Sequence, residues 1–280
     1  INRNVNGCAN LGYCGIGCPI NAKQSMLITT IPTALTAGAR LYYQTRAESF
    51  EFAVGKAQTL ICSGIKLNGD RVSEQSMKVT AKHFVVSGGA INSPALLKRS
   101  KIADPHDLLG KRTFLHPVSF SSGVFAEKVE GWAGAPQSIY SDHFQWDDGI
   151  TGRMSYKLEV PPLQPAITAT LLGRFGVDNA LRMEQLPHTN VMLALMRDGF
   201  HPDSAVGKVE LRGDGSPVLD YQMTDYTWDG VRRAFHSMAE IQFAAGAKAV
   251  LPLHADAGYV KTLGEAKQLI DTLPMEIYRT

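Results

Sequence analysis

The sequence predicts an α/β fold that continues into an α+β region, and three observations support this expectation. A short apolar, β-branched run at residues 83–86 is broken by small residues at 87–90 and then gives way to a helical pattern. Three strand-like runs separated by turn residues come before it, which is typical of a β-meander. After Val118, strand-like runs alternate with Pro-rich or Gly-rich turns and lead into one long amphipathic helix.

Length and composition bound the possible functions. The chain has 280 residues, of which 44% are hydrophobic, and this length suggests about two domains. The formal net charge is only +2 and no basic run occurs, so we expect no nucleic-acid partner. No apolar stretch approaches the roughly 20 residues of a membrane helix and no signal peptide is visible, so we expect a cytoplasmic or peripheral-membrane location rather than secretion. Since the chain begins at Ile1 within a loop-like stretch, we expect a fragment of a longer protein.

Three of the four cysteines lie within the first 23 residues, at Cys8, Cys14 and Cys18. Four glycines in the same stretch let the backbone fold tightly, so the three sulfur atoms could converge on a soft metal ion or an iron–sulfur cluster. Zinc fits less well, because it prefers paired C-x2-C units with four ligands, and a disulfide would leave an odd thiol. The other interpretation is a Gly-rich loop with reduced, packed cysteines.

The elements that follow are short. Residues 25–37 read as helical turns that end at Gly38, and residues 40–44 read as a strand. Asn68-Gly69 is a strong hairpin signal within the meander. The meander strands are expected at residues 47–53, 57–67 and 76–82.

The rest of the predicted fold is organised around residues 81–102, which are expected to form a strand, a turn and a helix. Residues 83–86 are the expected strand, and residues 87–90 are a turn whose small side chains let the backbone approach a cofactor closely. Ser93 as N-cap and Pro94 as the first helical residue predict that the helix begins there.

This segment resembles the second signature of the glucose–methanol–choline (GMC) flavin oxidoreductases. The matching pattern is Gly89-Ala90-x-x-Ser93-Pro94-x-Leu96-Leu97-x-x-Ser100-x-Ile102, with Lys101 where the family usually has glycine. Residues 129–144 and 186–198 resemble the long-chain fatty alcohol oxidase-like branch, so the resemblance covers nearly the whole chain. It implies that residues 1–117 are part of a Rossmann-like FAD-binding domain with a β-meander. Residues 118–280 would be an α+β substrate-binding domain.

The resemblance also implies which residues face the cofactor. In the family, a residue just after the strand that ends here at Arg46 offers its backbone to the adenine, and Ala47 occupies that position. Gly110, His116 and Pro117 match the glycine, histidine and proline positions of a further segment that is typical of the family. The candidate FAD-binding residues are therefore Ala47, Ser87, Gly88, Gly89, Ala90, Ser93 and His116.

The cysteine loop is similar to that of the catalytic subunit of FAD-dependent glucose dehydrogenase, a GMC protein with a three-cysteine iron–sulfur cluster. Carried over to this chain, Cys8, Cys14 and Cys18 are the candidate ligands. Such a cluster would pass electrons to an acceptor protein, cytochrome- or quinone-linked, and make the parent protein a dehydrogenase rather than an oxidase.

The second domain is expected to consist of antiparallel strands and two helices. A helix at residues 226–245 has an apolar stripe and is followed by Gly246. Thr262-x-x-Glu265 is a capping box for a last helix that ends at Leu273. The strands are expected at residues 118–125, 153–160, 191–196, 208–211 and 217–222.

The activity that the resemblance implies is oxidation of a primary or secondary alcohol by hydride transfer to FAD, with long-chain or apolar alcohols among the candidate substrates. The family's FAD fingerprint and its catalytic histidine segment have no counterpart in this sequence. None of the eight histidines is therefore a candidate catalytic base, and we expect the chain alone to be inactive. The expected partners are the alcohol and the remaining N- and C-terminal parts of the same protein.

Two other classes stay open. One is an iron–sulfur or zinc protein without flavin, built on the cysteine loop with a fourth ligand such as Cys62. The other is a catalytically inactive binding domain. A visible absorbance spectrum distinguishes the three classes by flavin bands, a thiolate-to-iron shoulder, or neither.

Overall fold

The computed structural model describes residues 3–135, 137–146, 148–172, 174–204 and 207–276, and of residues 71–75 the backbone alone. The helices are α1 Thr30–Thr36, α2 Gly89–Arg99, α3 Pro165–Leu171, α4 Gly176–Glu184, α5 Asp225–Ala244 and α6 Leu263–Thr272. The strands are β1 Thr45–Ala53, β2 Lys56–Ile65, β3 Arg71–Thr80, β4 Lys111–Thr113, β5 Val118–Val124, β6 Tyr140–Ser141, β7 Tyr156–Glu159, β8 Thr189–Met196, β9 Gly207–Leu211, β10 Pro217–Asp220 and β11 Ala249–Pro252. This mixture of helices and antiparallel sheets confirms the predicted fold class, including the meander.

Two compact units make up the chain. The first, the meander unit, consists of residues 31–114 and 205–222, and the second, the sheet unit, consists of residues 1–30, 115–204 and 223–280. The division into two domains with a boundary after residue 117 stays a prediction.

In the meander unit, β1, β2 and β3 pair antiparallel in that order. The turn at Asn68-Gly69 closes the β2–β3 hairpin, since the Lys66 N–H donates to the Asp70 carbonyl at 2.7 Å. A second sheet has the order β10-β9-β4, and α2 packs against β1, β9 and β10. The pairing of β9 with β4 therefore adds residues 207–220 to a unit otherwise built from the first part of the chain.

Two predicted strands of this unit are wrong. Residues 40–44 and 83–86 do not adopt strand conformation. A strand is held by a series of hydrogen bonds to a neighbouring strand. Within the described ranges no strand pairs with residues 83–86, and of residues 40–44 only the Gln44 carbonyl bonds to a strand, accepting from the Ile65 N–H at 2.9 Å. Several of their apolar side chains face water instead, with Tyr43 77% and Val85 88% exposed, while Phe84 is half-buried.

The start of α2 also differs from its prediction. The helix begins at Gly89 with Gly88 as N-cap, so that Ser93 and Pro94 lie inside it. Two successive glycines allow this earlier start, because Gly89 has a φ of +76°, which residues with a Cβ rarely adopt. Pro94 is the sixth residue of this helix, and its missing N–H removes the intrahelical bond that would reach the Ala90 carbonyl.

In the sheet unit, five strands form an antiparallel sheet with the order β11-β5-β8-β7-β6. The apolar stripe of α5 packs on one face of this sheet, where Phe235 and Met238 are fully buried together with Met192 of β8. Val191 packs in a separate cluster with Leu163. Successive residues of β8 thus point to opposite faces and contribute to two cores.

The predicted cap of the last helix is confirmed. The Glu265 N–H donates to the Thr262 hydroxyl at 3.2 Å, and the Glu265 carboxylate accepts from the Lys261 N–H at 2.8 Å. The helices α3 and α4 and the strands β4, β6 and β11 are short and have no counterpart in the sequence prediction. Within the part of the chain that the structure describes, no helix has the length and apolar character needed to cross a membrane.

Candidate functional site

The meander unit contains a cavity of about 540 Å³ beside the N-terminal end of α2. Its walls come from β1, from the irregular segment at residues 84–88 and from α2, and the β9–β10 turn contributes Ser216 and Pro217. The apolar lining residues are Phe50, Leu60, Phe84, Val85, Val86 and Leu96. The polar side chains of the lining include Arg46, Asn92 and Arg99.

The cavity brings together three of the candidate FAD-binding residues. Ala47, Ser87 and Gly88 line it, although the whole meander separates Ala47 from Ser87 along the chain. The candidates of the helix, Gly89, Ala90 and Ser93, lie in the first turns of α2 and outside the lining.

The seventh candidate lies elsewhere. His116 is exposed and follows β4 in the chain, within the sheet unit. The roles of all seven residues toward a cofactor stay predictions.

The C-terminal end of α2 fixes β1 where the strand lines the cavity. β1 has a bulge between Ala47 and Ser49, so its regular pairing with β2 is interrupted there. The guanidinium of Arg99 donates to the Ala47 carbonyl at 3.1 Å and to the Glu48 carbonyl at 2.9 Å. A third bond, at 3.3 Å, reaches the Gly215 carbonyl. Arg99 therefore ties the bulge to the β9–β10 turn.

The walls of the cavity combine aromatic and cationic groups. The Phe50 and Phe84 rings have centroids 5.1 Å apart and an interplanar angle of 73°. The Arg46 Nε lies 3.7 Å from the Glu48 carboxylate, and about a third of the Arg46 side chain is exposed (34%). The first N–H groups of α2 lack intrahelical acceptors and carry partial positive charge, which favours an anion. This arrangement suits a planar heterocycle joined to a phosphate.

Sequence reasoning missed several residues of this cavity. Phe50 and Phe84 were expected only as strand residues, and Asn92 and Arg99 only as variable positions of the signature helix. Ser216 reaches the cavity through the pairing of β9 with β4, a long-range contact that has no local sequence signal.

The three cysteines of the N-terminal loop do not form a metal site. All three are free thiols, and two of them accept hydrogen bonds from the backbone: Cys8 Sγ accepts from the Asn10 N–H at 3.4 Å, and Cys18 Sγ accepts from the Ala22 N–H at 3.2 Å. Across the described residues, no three His, Cys, Asp or Glu side chains are grouped so as to hold a metal ion. The arrangement of Cys8, Cys14 and Cys18 therefore does not fit the expected iron–sulfur cluster, which is not supported.

Two of the thiols differ in their electrostatic surroundings. The pKa of Cys18 is lowered by backbone N–H groups, first that of Lys23 and then those of residues 20–22. Cys62 is buried in β2, and burial together with the charge of the Glu48 carboxylate raises the pKa of its thiol. Thiolate character is thus favoured at Cys18 and disfavoured at Cys62.

Comparison with known protein families supports the resemblance drawn from the second signature. Residues 1–118 match the family model described as GMC oxidoreductase. The match confirms that resemblance, and its range includes all the candidate FAD-binding residues.

Curated relatives extend the similarity to nearly the whole chain. An uncharacterized GMC-type oxidoreductase of Mycobacterium tuberculosis is 28% identical over 271 residues, which cover 96% of this chain and 40% of that protein. A long-chain-alcohol oxidase of Arabidopsis thaliana is 25% identical over 265 residues, covering 90% of this chain and 33% of that enzyme. The chain thus spans less than half the length of these relatives. The crystal structure of pyridoxine 4-oxidase from Mesorbium loti aligns with a TM-score of 0.46 and 16% identity, over 72% of this chain and 38% of that one.

Proposed function

We propose that this chain is part of an FAD-dependent alcohol oxidoreductase of the GMC family and holds one portion of the cofactor. One observation supports the proposal most directly. Residues 1–118 match the family, and within them Ala47, Ser87 and Gly88 line a single cavity.

The residues of this cavity fit a portion of FAD. Phe50 and Phe84 offer an apolar wall to a flat ring, and the small residues Ser87 and Gly88 let the backbone approach it closely. The N-terminal end of α2 and the guanidinium of Arg46 suit the negative charge of a phosphate. A cavity of about 540 Å³ is too small for the whole dinucleotide.

When bound, FAD supplies the hydride acceptor for oxidation of an alcohol to an aldehyde or ketone. The residues of this chain would bind and orient it: the α2 N–H groups and Arg46 would hold the phosphates, and Ala47 would position the adenine through its backbone. Arg99 would act indirectly, because its hydrogen bonds to the Ala47 and Glu48 carbonyls keep the β1 bulge in place. We assign no residue of this chain as the proton acceptor.

The proposed substrate class is an apolar, long-chain alcohol. This more specific proposal is supported by the similarity to a long-chain-alcohol oxidase of Arabidopsis thaliana, to which the chain is 25% identical. Its test is the dependence of turnover on the alkyl chain length of the alcohol.

We also propose that further parts of the same protein cover the irregular segments at residues 40–44 and 83–86. Tyr43 and Val85 expose most of their apolar surface, which is unfavourable in water. Hydrogen–deuterium exchange tests this proposal. The amides of residues 83–86 should exchange rapidly in the 280-residue chain and at least about tenfold more slowly in the complete gene product.

The principal experiment uses the complete gene product. We expect FAD to copurify with it and an alcohol to bleach the flavin absorbance in the absence of oxygen. Turnover measured with dioxygen and with an artificial electron acceptor then distinguishes an oxidase from a dehydrogenase that uses an acceptor protein. A folded gene product that binds no FAD would overturn the proposal.

A pair of variants assigns the cofactor to the cavity. Asn92→Trp places a large side chain at an exposed position of the lining, and we expect it to lower FAD content at least about tenfold. Gln268→Trp makes the same kind of change at an exposed position of α6 and should leave FAD content unchanged. Equal FAD content in both variants would place the cofactor elsewhere.

A further inference from the structure

We propose that a second cavity, in the sheet unit, binds an uncharged aliphatic molecule with a single hydrogen-bonding head group. This cavity of about 390 Å³ lies between the C-terminal end of α5, the strands β6 to β8 and the segment at residues 125–129. Its volume lies within the range of small-molecule sites, about 300–1,000 Å³. The proposal goes beyond the cofactor site, because no residue of this cavity belongs to the meander unit.

The lining of the second cavity is apolar on several sides. Leu158 and Met192 are buried and form its floor, while Ile139 and Ile241 stand at its rim with 71% and 39% of their surface exposed. Filling the cavity with an alkyl chain would remove apolar surface of both protein and ligand from water. The aliphatic character of the ligand follows from this lining.

One polar side chain indicates the head group. Asn190 of β8 lines the cavity, and its amide makes no hydrogen bond to any other part of the chain that the structure describes. Asn190 is half-buried, so water reaches its amide, and a ligand that displaces this water must replace the lost hydrogen bonds. A hydroxyl or carbonyl group on the ligand would supply that partner.

The charges around the cavity favour a neutral head group. Among the described residues that line it, none is Lys, Arg or His, and Glu159 is the single acidic residue. The Glu159 carboxylate is already engaged, since it lies 2.9 Å from Lys157 Nζ and accepts from Gln137 Nε2 at 3.1 Å. The neighbouring Lys157 is already paired with Glu159, so a carboxylate or phosphate on the ligand would lose its hydration without gaining an unpaired cation, and an alcohol should bind better than the acid of equal length.

The cavity wall is held in place before any ligand binds. The Phe125 N–H donates to the His188 carbonyl at 2.9 Å, and the Val129 N–H donates to the Pro187 carbonyl at 2.8 Å. On the opposite wall, Lys157 Nζ lies 4.1 Å from the centroid of the Tyr140 ring. Such a preformed wall reduces the ordering cost of binding.

The test measures binding of 1-octanol and of octanoate to the whole chain by titration calorimetry. We expect saturable binding of 1-octanol and at least tenfold weaker binding of octanoate. Failure of 1-octanol to bind, or equal affinity for the two compounds, would overturn the proposal. Because neither FAD nor turnover enters the measurement, its outcome is independent of the proposed enzymatic function.

Three variants locate the site. Ala245→Phe fills the cavity from the end of α5, and Ala244→Phe adds the same ring at the neighbouring exposed position, which does not line it. We expect Ala245→Phe to abolish 1-octanol binding and Ala244→Phe to retain it. Asn190→Leu keeps the branched shape and the number of side-chain heavy atoms but removes the amide, and it should weaken 1-octanol binding about fivefold. Equal binding by the two phenylalanine variants, or an unchanged affinity in Asn190→Leu, would refute the assignment.

Discussion

The hydroxyl of Ser100 accepts a hydrogen bond from the backbone N–H of Phe50 at 2.8 Å and donates one to the Leu96 carbonyl at 2.6 Å. The bond to Phe50 joins the end of α2 to β1 just beyond the bulge of that strand. Ser100 is one of the residues of the second GMC signature, and it is buried. The structure thus gives this serine a structural function: it positions the strand that lines the cavity of the meander unit.

Replacement of Ser100 by alanine tests this function. Ser100→Ala leaves the Phe50 N–H without its acceptor, and we expect a loss of about 1–3 kcal/mol in the free energy of unfolding, measured by urea titration. The Phe50 amide should also exchange faster with deuterium. Ser138→Ala removes an exposed hydroxyl and should change stability by less than about 0.5 kcal/mol. Equal stability of the two variants would contradict the structural function.

The sequence predicted those parts of the fold that have local signals. The turn at Asn68-Gly69, the apolar stripe of α5 and the cap at Thr262 each depend on residues close together in the chain, and all three were confirmed. The strands expected at residues 40–44 and 83–86 were wrong, because apolar, β-branched composition indicates a strand only where a partner strand is present.

The same distinction explains how much of the candidate site was predicted. Ala47, Ser87 and Gly88 were found through the resemblance and meet at one cavity. Ser216 was missed because its approach depends on β9 pairing with β4, which no short pattern encodes. The cysteine spacing suggested a cluster, but spacing alone does not determine where the sulfur atoms point.

A buried polar pair between α5 and β5 provides a second prediction. The Ser121 hydroxyl donates to Gln242 Oε1 at 2.7 Å, and Gln242 Nε2 donates to the Ser121 carbonyl at 3.0 Å, with both side chains almost fully buried. Ser121→Ala leaves the Gln242 oxygen unsatisfied and should cost about 1–3 kcal/mol. Gln242→Met should cost a similar amount, since it removes the acceptor of the serine hydroxyl.

The double variant tests whether the two residues act together. Because both partners are then apolar, Ser121→Ala/Gln242→Met should be less destabilised than the sum of the single variants, with a coupling energy of about 0.5–3 kcal/mol. Urea unfolding followed by tryptophan fluorescence measures all four proteins. Additive losses would mean that the pair is not coupled.

The docking of the cysteine loop gives a third prediction. Gly12 has a φ of +74°, and a Cβ there would lie 1.9 Å from the Trp132 carbonyl oxygen. Gly12→Ala should therefore displace the loop from residues 132–134, lower stability by about 1–3 kcal/mol and change the fluorescence of Trp132. Gly15→Ala is the matched control, because a Cβ at Gly15 meets no atom within 4 Å. If the two variants behave alike, the loop does not pack on Trp132 as described.

The last prediction concerns the reactivity of two thiols as a function of pH. Backbone N–H groups lower the pKa of Cys18, whereas burial and the Glu48 charge raise the pKa of Cys62. The thiolate is the nucleophile, so a lower pKa gives a larger reactive fraction at neutral pH. We expect iodoacetamide at pH 7 to alkylate Cys18 at least about tenfold faster than Cys62 in the folded protein, with Cys18 reaching its half-maximal rate at a lower pH than Cys62. Peptide mapping by mass spectrometry from pH 6 to pH 9 measures both rates, and in urea the two rates should converge because the folded surroundings are lost. If Cys18 reacts no faster than Cys62 in the folded protein, the backbone N–H groups of residues 20–23 do not stabilise its thiolate.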